Sequence, residues 1–169
     1  MHANESIPLL PRRRLIVLAG TGLFAALAGC RSTDILSTSE DLSKAETEGA
    51  LPIVNGLRAK KGLATLEKHP AAESAAMVQA RRMAKAGKMS HLIGFNDSFL
   101  ERMKSTKVPL PAAENIATGQ DSVERAVQAW IDSKKHLDNM LGAYQGLGVA
   151  VARHPSSANR PYWAMVLSA

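Results

Sequence analysis

The chain has 169 residues and a mass of 18.1 kDa, which suits one domain with a short leader or tail and leaves no room for a second core. Hydrophobic residues at 46% and charged residues at 21% lie close to globular averages, which excludes wholesale disorder and collagen-like or mucin-like composition. With aromatics at 4% and 27 alanines, the apolar mass favours closely packed helices over an aromatic-rich barrel, and the net charge is +6.

Residues 1–29 have the order of an export signal: Arg12, Arg13 and Arg14, an apolar run from Leu15 to Ala28, then small residues before Cys30. The run is shorter than the ~18 residues of a spanning helix, and Gly20 and Gly22 weaken it further, so a poorly cleaved anchor is the lesser alternative. Leu27-Ala28-Gly29-Cys30 resembles the bacterial lipobox, which implies a diacylglycerylated Cys30 as the mature N-terminus and the membrane as a partner. Cys30 is the only cysteine, so no intramolecular disulfide can form; the bland alternative is an incidental cysteine closing an ordinary signal peptide. Arg12 to Ile16 also resembles a twin-arginine signal, leaving the export route open, and Arg31 implies outer-membrane sorting if the host has two membranes. Loss of residues 1–29 lowers the net charge by two. No Lys/Arg block with interleaved aromatics remains, so a nucleic-acid partner is not expected.

Residues 30–48 read as the lipidated cysteine and a Ser/Thr-rich tether, and residues 49–169 as the domain. A short helix is expected from Ile53 to Lys61, stopped by Gly62. A second runs from Pro70 to Gly87, with Ala72, Ala76, Ala80 and Met83 on its inner stripe. Ser98 with Glu101 opens a third, ending before Pro109, and Asp121 with Glu124 opens a fourth that buries Val123, Val127 and Trp130. Two alternating stretches, Leu147 to Ala152 and Tyr162 to Leu167, predict a terminal hairpin with Trp163, Met165 and Leu167 in the core. Gly148, Ala150 and Ala152 on one face of it imply a tightly packed helix. The expected fold is α+β, about four helices around a small antiparallel sheet.

No HExxH, CxxC, phosphate loop or Gly-x-Ser-x-Gly motif is present. His69, before a helix, and His154, in a loop, read as surface residues. Alone, Glu114 could pair with Arg58 or accept backbone donors, and nothing places Ser90 or Ser133 at a strained turn fit for a nucleophilic triad.

Asn55-x-x-Arg58, Gly62-Leu63, Ser90-His91, Glu114-Asn115-Ile116-Ala117-x-Gly119, Trp130-x-x-Ser133-x-x-His136, Asn139-Met140-Leu141 and Gly146-x-Gly148-Val149 resemble the CAP superfamily over about residues 50–169. The superfamily includes cysteine-rich secretory proteins, antigen 5 and pathogenesis-related plant proteins. The resemblance implies an α-β-α sandwich with a cleft of two histidines and one or two glutamates that binds a divalent cation in some members. His91, Glu114 and His136 would occupy that cleft, with Ser90, Asn115 and Ser133 around them. Ser133 stands where the family has its second glutamate, and the adjacent Asp132 is turned about 100° away on a helix.

Two imidazoles and one carboxylate match the ligand count of a weakly held zinc, if they converge; the alternative is a vacant, hydrogen-bonded cleft. The expected function is ligand binding in this His/Glu cleft in the envelope, with or without a divalent metal such as zinc, and without turnover. One alternative is a metal-dependent hydrolase of an envelope polymer or peptide, and the other is a sterol- or fatty-acid-binding module with a groove near Met103, Val108 and Leu110.

Overall fold

The computed structural model describes residues 42–169. The export signal, Cys30 and most of the tether lie outside these residues. In chain order the elements are β1 (Leu42–Ala45), α1 (Thr47–Lys60), β2 (Glu67–Lys68), α2 (Pro70–Ala86), α3 (Phe99–Ser105), β3 (Ala112–Thr118), α4 (Val123–Ile131), α5 (Lys134–Met140), β4 (Gly146–Arg153) and β5 (Tyr162–Ser168). A 3-10 turn at Pro155–Ser157 lies in the β4–β5 connection.

The sheet runs β1-β4-β5-β3 with antiparallel neighbours, and β2 adds two residues parallel to the start of β4. Side chains of a strand alternate between faces, and here each face has its own core. Leu147, Val149, Trp163, Met165 and Leu167 pack with α1, α4 and Met140 of α5. Ala150, Ala152, Tyr162, Ala164 and Val166 pack with α2 and Met103 of α3. The result is an α-β-α sandwich.

The α2 side is built on small residues. Ala72, Ala76, Ala80 and Met83 are fully buried, as their spacing predicts. Gly148 lets the start of α2 come so near that a Cβ there would stand 2.0 Å from the Glu73 nitrogen. Pro70 at the first turn and Gly87, left-handed at the end, bound α2 as expected, and His69 caps it by accepting from the Ala72 N–H at 3.3 Å.

Several expectations shift. Residues 42–48, assigned to the tether, are strand and helix: β1 adds to the edge of β4, and the buried Thr47 exchanges hydrogen bonds with the Val149 backbone. α1 therefore begins at Thr47 rather than Ile53, with Pro52 inside it. The cap of α4 is Ser122, one residue beyond Asp121, which instead pairs with Arg125 at 3.4 Å. α5 is an additional helix, seven mostly polar residues too short to show a period. Met103 and Val108, expected to line a lipid groove, are core residues, while Leu110 is exposed.

The packing at Gly148 predicts that Gly148→Ala lowers stability by about 3 kcal/mol, because the clash is with backbone. Gly56→Ala, in an exposed turn of α1 with open space around it, should stabilise by up to about 1 kcal/mol. Thermal unfolding of the two variants checks both signs.

Candidate functional site

The site forms at the sheet's β3 edge. Glu114 and Asn115 are consecutive on this strand, so they point to opposite faces and reach different helices. Glu114 turns to the α2–α3 side. Its side chain is 2% exposed and accepts from Arg102 Nη2 at 2.9 and 3.0 Å through its two oxygens, and His91 Nδ1 lies 2.9 Å from Oε1. A carboxylate held by a guanidinium can only accept, so His91 donates from Nδ1.

Asn115 turns to the α5 side. Its Nδ2 donates to the His136 carbonyl at 3.0 Å, and its Oδ1 accepts from Asn139 at 2.8 Å, which pins the helix carrying His136 to the strand. His136 and Ser133 then line a pocket of about 230 Å³ with Met89, Ile116, Thr118, Gln120 and Trp130.

The segment holding His91 is fixed from beneath. Gln79, fully buried on α2, donates to the carbonyls of Ser90 at 2.7 Å and His91 at 3.3 Å. Farther along, Asp97 accepts from Arg82 at 3.0 Å, from Arg102 at 3.1 Å and from the Ile93 N–H at 2.6 Å. Burial raises the Asp97 pKa, but the bonds from Arg82, Ile93 and Arg102 and the charge of Arg102 outweigh it and hold the carboxyl at about 2. Arg82, Asp97, Arg102, Glu114 and His91 thus form one chain of polar contacts.

His91 and Glu114 meet as the family resemblance implies, with His136 across the strand edge and close enough for the charge of His91 to act on it. The partner of Glu114 is Arg102, correcting the pairing with Arg58, whose guanidinium serves the carbonyls of Ala64, Met140 and Gly142. The Ser90 hydroxyl donates to the Leu92 carbonyl and so ties its own loop together. Ser133 begins α5 without a side-chain capping bond. Asp132 is exposed and accepts from Gln128, so it does not replace the missing glutamate. His154 caps the 3-10 turn and, like His69, has a local structural role.

These residues do not fit a divalent cation. Both oxygens of Glu114 are engaged by Arg102, Nδ1 of His91 is directed at the same carboxylate, and Ser133 supplies no charge. Among the described residues no three His, Cys, Asp or Glu side chains are gathered as an ion would require.

Comparison with known proteins agrees with this architecture. Residues 51–167 match the CAP family, described as the cysteine-rich secretory protein family. An uncharacterized protein of Bacillus subtilis (strain 168), YkwD, is 27% identical over 117 residues, which are 69% of this chain and 46% of that protein, so the chain spans about half the length of this relative. An outer surface protein of Borrelia burgdorferi has a similar structure, with a TM-score of 0.64 and 19% identity over 76% of this chain and 97% of that one. An extracellular protein of Bacillus anthracis containing an SCP domain gives a TM-score of 0.63 and 22% identity over 73% of this chain and 40% of that one.

Two titrations test the geometry. Burial, the charge of His91 and that of Lys135 all lower the His136 pKa below 6.5, so NMR should find His136 titrating below 6.5 and moving upward in His91→Ala. The folded state then binds fewer protons than the unfolded one, and the stability it contributes is full above pH 6.5 and declines below it. For Asp97 the contribution is present above pH 3.8 and is lost as the pH falls toward 2. Asp97→Asn should remove this acid limb and cost about 3 kcal/mol in denaturant unfolding, because it strips Arg82 and Arg102 of a shared partner.

Proposed function

The chain belongs to the cysteine-rich secretory protein (CAP) family, and we propose that it acts in the cell envelope as an exported, lipid-anchored member that binds a ligand at His91, Glu114 and His136 without turnover. The observation that carries this reading is the state of Glu114. Its charge is neutralised internally by Arg102, so no free carboxylate remains to activate a water, while His91 Nε2, His136 and the adjoining pocket are left to contact a guest. A pocket of about 230 Å³ with apolar walls and a few polar groups suits a small molecule or one residue of a polymer.

Export and anchoring are supported by the leader and by Cys30 as the only cysteine, placed directly after Leu27-Ala28-Gly29. Two proteins of similar structure, an extracellular protein of Bacillus anthracis and an outer surface protein of Borrelia burgdorferi, support the same compartment. A diacyl anchor with a further acyl chain on Cys30 would supply the two signals that stable membrane attachment needs.

Labelled palmitate fed to an expressing bacterium should enter the protein, and Cys30→Ser should abolish incorporation; labelling that survives the substitution contradicts the anchor. For the cleft, a fragment library added to the full chain in detergent should shift the Trp130 indole and His136 ring signals. Ala129→Leu, which fills the pocket, should remove those shifts, whereas Leu110→Ser on the exposed surface should retain them.

A further inference from the structure

The network around Glu114 contains its own cation. Arg102, with a side chain 8% exposed, spans both oxygens of Glu114 with one nitrogen and reaches Asp97 with another, and its guanidinium carbon lies 5.8 Å from the centre of the Phe99 ring. Arg82 closes the other side of Asp97 at 2.7 Å. Two guanidinium groups therefore balance two carboxylates, with no further positive charge required from an imidazole.

We infer that Arg102 is the resident counter-ion of this cleft and sets its specificity by excluding divalent metal ions. A metal at Glu114 would place two more positive charges beside a buried guanidinium, or would have to displace that guanidinium from the carboxylate. Displacement is opposed: losing Glu114 would leave the buried guanidinium with Asp97, which Arg82 already shares. The missing second glutamate at Ser133 and the charge of Arg102 act in the same direction, one removing attraction for a cation and the other adding repulsion. The site keeps His91 and His136 as hydrogen-bonding groups toward an organic ligand rather than as metal ligands.

This inference rests on reading the cleft as the binding site, but it is tested with a different probe. Zinc alone is titrated calorimetrically into the full chain in detergent, into Arg102→Met, and into Arg102→Met with Asp97→Asn, which keeps the charge of the network balanced if the single variant does not fold. The native chain should give no saturable heat. The paired variant should bind zinc roughly a hundredfold or more tightly than the native chain, and adding His136→Ala should abolish that gain. Saturable binding by the native chain that His91→Ala and His136→Ala erase would overturn the inference. So would a folded paired variant that remains silent, because the donors would then be deficient for reasons other than Arg102. Failure of the fragments to bind, with the zinc results as expected, would remove the ligand-binding reading and leave the role of Arg102 standing.

Discussion

A carboxylate buried on a sheet strand has to be neutralised where it stands, and the neutralisation of Glu114 organises its surroundings. The compensating charge comes from α3, whose Arg102 also holds Asp97, and Asp97 in turn holds Arg82 of α2. The segment between α2 and α3 is therefore fastened at Asp97, and Gln79 adds a second fastening at the carbonyls of Ser90 and His91. In this arrangement an imidazole sits on a loop while buried side chains of regular elements hold the loop.

The scaffold that makes this possible depends on small residues. Gly148 and the alanines of α2, β4 and β5 bring helix and sheet backbones close, which puts Gln79 and Arg82 within reach of the loop. On the opposite face the larger Trp130, Met140, Met165 and Leu167 fill a thicker layer, and Asn115 carries the connection from strand to α5. The two histidines thus belong to opposite layers of the sandwich, on either side of the β3 edge, which is left unpaired by the strand order. A ligand there would touch both layers at once.

Much of the frame was legible in the sequence. Pro70, Glu73 and Gly87 marked α2, the Gly148-Ala150-Ala152 face announced its close packing, and the alternation of Trp163, Met165 and Leu167 placed the last strand in the core. β3 was illegible, because Ala112–Thr118 is rich in alanine and polar residues and becomes a strand only by pairing with β5. α5 was illegible for its length. His91, Glu114 and His136 were reached through family spacing, whereas Arg102 and Asp97 left no local signal, since a charge on a short helix looks the same whether it meets water or a carboxylate. Gln79 did leave one: it follows Ala76 by three positions on a stripe of buried alanines, where a polar side chain must find an internal partner.

The most direct test of the account is the tautomeric state of His91, read from long-range proton–nitrogen correlations of the imidazole rings at neutral pH. If Glu114 is a carboxylate held by Arg102 and accepting from His91, the ring carries a proton on Nδ1. A His91 ring protonated on Nε2 with a bare Nδ1 would mean that Glu114 does not accept from it, and the charge network as described would be wrong.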